Sequence, residues 1–124
     1  MNETERFQFE ILKRFAITGS IKSLDKWFLE INFDHKKANQ LFSILNEFSK
    51  KLDFSHGEFE QRMEREFGWG YQAVKPLIKS LYEDGMYPEI VSQFLKDMHR
   101  VGGNGAFPIE YKWIAEELGI LNRT

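Results

Sequence analysis

The chain has 124 residues, of which 42% are hydrophobic and 15% aromatic, with a net charge of −2, enough apolar material for one domain with its own core. It has no cysteine, which excludes disulfides, cysteine-ligated zinc or iron–sulfur centres and thiol nucleophiles, and fits a reducing compartment. Acidic and basic residues are interspersed, so the basic stripe that draws a protein to a phosphate backbone is missing, and no apolar run nears the ~20 residues of a membrane span. The opening Met1-Asn2-Glu3-Thr4-Glu5 is acidic rather than a basic leader, and the expected location is cytoplasmic.

Phe7, Ile11, Leu12 and Phe15 recur at helical spacing up to Thr18-Gly19-Ser20, which predicts a first helix over roughly 4–17. Ser20 or Ser23 can cap a short second helix carrying Leu24, Trp27, Phe28 and Ile31, broken at Asn32-Phe33-Asp34. Asp34 is then the N-cap of the longest helix, in which Ala38, Leu41, Phe42, Leu45, Phe48 and Leu52 form a stripe opposite Lys36, Lys37, Gln40, Glu47 and Lys50. Ser55-His56-Gly57-Glu58 has the Ser-x-x-Glu form of a capping box ahead of Phe59, Met63 and Phe67, so a fourth helix runs over roughly 56–67.

Beyond Gly68-Trp69-Gly70, the residues Val74, Leu77, Ile78, Leu81 and Tyr82 make a fifth stripe that Gly85 closes as a left-handed cap. Pro76 within it predicts either a helix start close to Val74 or a kink. Pro88 opens a sixth helix with Ile90, Val91, Phe94, Leu95 and Met98 and a basic end at Lys96, His99 and Arg100, stopped by Gly102-Gly103-Asn104-Gly105. A last helix runs from Pro108 through Ile109, Trp113, Ile114 and Leu118 to Gly119. Strands would need alternating or β-branched runs; the only valines are Val74, Val91 and Val101 and the only threonines Thr4, Thr18 and Thr124, so no sheet is expected. The expected fold is all-α: a compact bundle of six to seven helices in a single domain over 1–124.

Catalytic and metal-binding patterns find little support. His35, His56 and His99 are single and far apart, and Asp97-x-His99 would point to different sides of a helix, so no metal site is expected. Glu60 and Glu64 have the spacing of paired carboxylates, but Arg62 lies four residues from both Glu58 and Glu66 and marks an ion-paired outer face. Gly102-Gly103-Asn104-Gly105 follows a helix, not a strand, and reads as a flexible linker instead of a phosphate loop. Ser55 beside His56 forms no nucleophile elbow. The chain is therefore read as no enzyme and as carrying no cofactor.

The 12 Phe, 4 Tyr and 3 Trp are more informative, because adjacent aromatics such as Trp27-Phe28 diverge by about 100° on a helix and cannot all face one core. The aromatics least needed for core periodicity are Trp69 and Tyr71 at the glycine-flanked turn and Phe107 and Trp113 in the tail. Large rigid side chains at such places anchor interfaces, so these four are the candidate partner-binding residues of a non-enzymatic protein–protein interaction module, self-association being one form of it. Phe59 to Tyr87 also reads as helix, Gly-containing turn and helix, with Gln72, Lys75 and Lys79 offered to DNA. A nucleic-acid-binding regulator is thus an alternative, which the slight negative charge and the helix start at Pro88, where a wing would follow, both disfavour. A small-molecule sensor with a pocket between helices is the other.

The segment Leu81-Tyr82-Glu83-Asp84-Gly85-Met86-Tyr87, followed by Glu89, Phe94 and Met98, lies within a stretch from Val74 to Met98 that resembles the C-terminal half of the YhaI-like family. These are small helical proteins of Bacillus and its relatives with no assigned function. The helix around Leu41 to Leu52 and the entry from Phe54 to Phe59 are similar in order and spacing, so the likeness extends over roughly 8–99. It implies an all-α core over 1–100, an origin in Firmicutes or their phages, and no catalytic residue. The chain departs from the family pattern after Arg100, where 101–124 adds a Gly-rich loop and a helix.

Overall fold

The computed structural model describes residues 2–18, 22–102 and 107–121, and among them seven α-helices follow one another without a strand. They are α1 (Glu3–Thr18), α2 (Ser23–Glu30), α3 (His35–Lys50), α4 (His56–Phe67), α5 (Tyr71–Glu83), α6 (Pro88–Gly102) and α7 (Ile109–Glu117). The Gly103-Asn104-Gly105 part of the expected linker and Ser20, one expected cap, lie outside the described residues.

Local chemistry sets most helix ends. The Asp34 carboxylate accepts from the Lys37 N–H at 2.8 Å and Ser55 Oγ from the Glu58 N–H at 3.0 Å, satisfying donors that the first turns of α3 and α4 leave without partners. Gly85 sits at φ +66° just past α5. There the Gly85 N–H reaches the Tyr82 carbonyl at 3.1 Å and the Met86 N–H the Leu81 carbonyl at 2.8 Å, the paired bonds of a left-handed helix stop.

Two ends differ from the sequence expectation. The helix α5 begins at Tyr71, not near Val74, and holds Pro76 in its interior. The proline costs the Gln72 carbonyl its intrahelical donor, but Gln72 is exposed and water can serve instead. The N-cap of α2 is Lys22, whose side chain makes no capping bond, and Ser23 is the first helical residue rather than the cap. Asp84 fills the gap from 61 positions away: its two carboxylate oxygens accept from the Ser23 N–H at 2.8 Å and the Leu24 N–H at 2.9 Å. At the C-terminus of its own helix a carboxylate is misplaced, and its contact with the positive end of α2 accounts for it. Asp84→Ala is expected to cost about 1–2 kcal/mol, the range of a lost N-cap, and to speed amide hydrogen exchange at Ser23 and Leu24. Unchanged exchange at those two amides would mean that the cap contributes nothing.

α5 is the helix around which the others gather. Its residues Val74, Leu77, Ile78 and Leu81 are fully buried, and α2, α4, α6 and α7 all pack on it. α6 forms a second spine, with Ile90, Val91, Phe94 and Leu95 buried against α3, α4 and α5. α1 covers α2 and α3 through Phe7 and Ile11. Each such side chain contributes about 1.5–3 kcal/mol on burial, most of it offset by the entropy of ordering the chain. In α3 the stripe ends earlier than its spacing suggests, because Leu52 lies beyond the Lys51 C-cap and is exposed.

Candidate functional site

α7 turns Tyr111, Ile114 and Ala115 into the core, and Glu110 in its first turn places Oε2 3.6 Å from Lys75 Nζ on α5. These contacts fix which side of the helix faces out. Ile109 and Trp113, one turn apart, lie on that side at 82% and 37% exposure. The Trp113 ring stands edge-on to Tyr82, with centroids 5.4 Å apart and planes at 74°. The Tyr82 hydroxyl donates to the Glu117 carboxylate, which holds the phenol above its ordinary value of 10 and keeps it a donor at neutral pH. Trp113 is thus half-exposed with one edge braced.

The four aromatics singled out from the sequence do not form one surface. Phe107 is only 9% exposed and stacks on His99, with centroids 5.8 Å apart and planes at 9°, so it fastens the lead-in of α7 to α6 and offers a partner nothing. Trp69 is half-buried in a group of rings, stacked on Phe67 at 4.5 Å and Phe33 at 5.3 Å and tilted against Trp27 at 5.1 Å. Its glycine neighbours make the turn that folds it back; they do not push it out. Tyr71 starts α5, but its side chain lies outside the described residues. The Trp69 group and the Trp113–Tyr82 pair sit at opposite ends of α5, about 18 Å apart at 1.5 Å of rise per residue.

The residues of the nucleic-acid alternative are split as well. Gln72 and Lys79 are exposed on α5, whereas Lys75 is mostly covered and lies against Glu110. A helix enclosed by α2, α4, α6 and α7 has little free surface to lay in a groove.

The main polar cluster was not legible in the sequence. Asp97 on α6 is 6% exposed, and its Oδ2 accepts from both the backbone N–H of His56 at 2.8 Å and the His56 ring Nδ1 at 2.7 Å. Its Oδ1 accepts from Arg100 Nη2 at 2.7 Å. Burial pushes this carboxyl up, but the His56 N–H, the Arg100 guanidinium and the His56 ring outweigh it and hold it at about 2. An aspartate three residues after Phe94, inside the apolar stripe of α6, is the one local sign of such a role. The sequence had suggested weighing Asp97 with His99; its partner is His56, 41 positions away.

The remaining candidates also have structural partners. His35 Nε2 lies 2.7 Å from Glu10 Oε2 and the ring meets Phe7 edge-on. Arg62 pairs with Glu66, as its spacing suggests, and with Glu47 across to α3 at 3.0 and 3.3 Å. Ser55 Oγ is engaged in capping and does not face His56 as a nucleophile would face its base. Among the described residues no group of three or more His, Cys, Asp or Glu side chains could hold a metal ion, and no described helix is long and apolar enough to cross a membrane. No protein-family model, curated protein or solved structure matches the chain.

Proposed function

We propose that this chain acts by binding another protein, without catalysing a reaction, and that the outer face of α7 is the surface it uses. The observation that carries this is the Ile109–Trp113 pair, an apolar turn left in solvent on a helix whose other side is buried. A tryptophan braced by Tyr82, itself held by Glu117, loses little conformational freedom on docking, which is what makes a side chain an efficient anchor. The enclosed position of α5 and the contact of Lys75 with Glu110 favour this over a helix-turn-helix reading. We further propose a cytoplasmic setting, and membership of the YhaI-like family for the first hundred residues, with α7 as an addition that carries the chain's own specificity.

The test is affinity capture from lysate of the native host, run with and without nuclease, comparing the wild type with Ile109→Asp and Trp113→Ala. One stoichiometric protein is expected with the wild type and at least a tenfold loss in either variant, a loss of about 1.4 kcal/mol or more. Both variants should keep the wild-type helicity, and Trp113→Ala should cost no more than about 1 kcal/mol in stability. Capture that both variants leave unchanged would sink the assignment to α7. Recovery only without nuclease would restore the nucleic-acid reading, and recovery of the bait alone, as a dimer, would make a second copy the partner.

A further inference from the structure

Tyr82 on α5 joins two groups of α7. Its ring meets the Trp113 indole at 74° with centroids 5.4 Å apart, and its hydroxyl donates to Glu117 Oε2. Trp113 and Glu117 are four residues apart, which sets the carboxylate one turn along α7 on the side of the indole. Rings at this angle bound a corner with one face of each, and both faces carry the negative side of the aromatic quadrupole. The carboxylate adds its charge at the same place, and Tyr82 registers it: the hydrogen bond to Glu117, burial and then that charge push the phenol up. Lys75 lies against Glu110, and Lys79 lines the groove between α5 and α2 with Ser23 and Glu30. Lys112 precedes Glu117 by five residues, about 140° round the helix and away from α5. Among the described residues no lysine or arginine pairs with Glu117. The corner is open to solvent, with Trp113 and Glu117 exposed and Tyr82 half-buried.

We propose that the partner of α7 presents an arginine side chain to this corner, its guanidinium stacked on the Trp113 indole and one N–H donated to Glu117 Oε1, with an apolar side chain of the same segment resting on Ile109. The arginine site presupposes that the outer face of α7 is the binding surface, and it names what that surface recognises. Tyr82 takes Glu117 Oε2, which leaves Oε1 as the acceptor and fixes the carboxylate beside the rings. A planar, weakly hydrated guanidinium satisfies ring and carboxylate at once, whereas a lysine ammonium at an exposed site holds its water. A quaternary ammonium has no N–H for Glu117, and two rings do not enclose it.

The full chain is panned with an mRNA-displayed library of random dodecapeptides, and the enriched peptides are resynthesised for binding to the wild type and its variants. Peptides that lose about tenfold or more on Ile109→Asp and on Trp113→Ala mark α7 as the surface. Each of these is expected to hold one arginine whose replacement by citrulline, neutral and of the same shape, weakens binding to the wild type about tenfold or more. Against Glu117→Gln the same replacement should cost a factor roughly three times smaller, because part of the charge it answers is gone. Glu117 and Glu64 are both exposed; Glu117→Gln should keep the wild-type helicity, and Glu64→Gln on α4 should bind every peptide like the wild type. Peptides that need Ile109 and Trp113 but carry no arginine overturn the arginine site and leave α7 as the surface. So do peptides in which citrulline or lysine replaces the arginine without loss, or in which the citrulline loss is as large against Glu117→Gln as against the wild type. An enriched set that ignores both Ile109→Asp and Trp113→Ala, or no enrichment at all, overturns the α7 surface and the arginine site together.

Discussion

Asp97→Ala is expected to lower stability by about 3 kcal/mol, the low end for breaking a buried ion pair, since Arg100 and part of the His56 ring remain in solvent. At roughly 4 °C per kcal/mol for a chain of this size, the melting temperature should fall by about 12 °C. The loss has two parts. One is the His56 N–H in the first turn of α4, which would have no acceptor, and the other is the charge opposite the His56 ring and Arg100. Asp97→Asn keeps an acceptor and loses only the charge, so it should cost somewhat less, about 2.5 kcal/mol.

The same residue makes a pH prediction with a definite sign. Its folded value of about 2 lies below the ordinary 3.8, so the protein gains from Asp97 wherever the carboxylate is ionised in the unfolded chain too. That contribution, about 2.5 kcal/mol, is fully present above pH ~5, shrinks as pH falls through the unfolded value, and is gone below about pH 2. The stability difference between wild type and Asp97→Asn should therefore narrow steadily from pH 5 to pH 2 in urea titrations. Parallel curves over that range would show that the carboxylate's charge does not stabilise the fold.

Trp69→Ala is expected to cost about 2 kcal/mol, less than the 3–5 of a fully buried tryptophan because the residue is only half-buried. Trp69→Phe should keep most of the stability, since a phenyl ring can still stack on Phe67 and Phe33. The result contrasts with the small effect predicted for Trp113→Ala, and the pair of melting curves separates the two tryptophans that look alike in the sequence. If Trp69→Ala melts with the wild type and instead abolishes capture of the partner, the binding surface lies at the glycine turn.

The contrast marks how far local pattern reaches. Ser55 and Asp34 cap helices from within four residues, so their roles follow from spacing alone, as does the stop at Gly85. Trp69 is different. A tryptophan between glycines has no periodicity to place it, and only the arrival of Phe33 from the end of α2 and Trp27 within it closes the ring stack. In α7, nine residues are too few for a clear stripe: of Ile109, Trp113, Ile114 and Leu118, from which the helix is read, only Ile114 is buried, beside Tyr111 and Ala115.

Composition, periodicity and turn residues by themselves determined an all-α chain of six to seven helices, most of their limits, and the absence of cysteine chemistry, because those properties rest on interactions within a turn or two of helix. Tertiary structure alone decided that Asp84 caps α2 and Asp97 caps α4, that Phe107 is inside and Ile109 outside, and that His56 and Glu60 share a cleft with Tyr111. Each of these depends on groups 41 to 61 positions apart, or on which side of a short helix meets its neighbour, and a one-dimensional pattern holds no term for either.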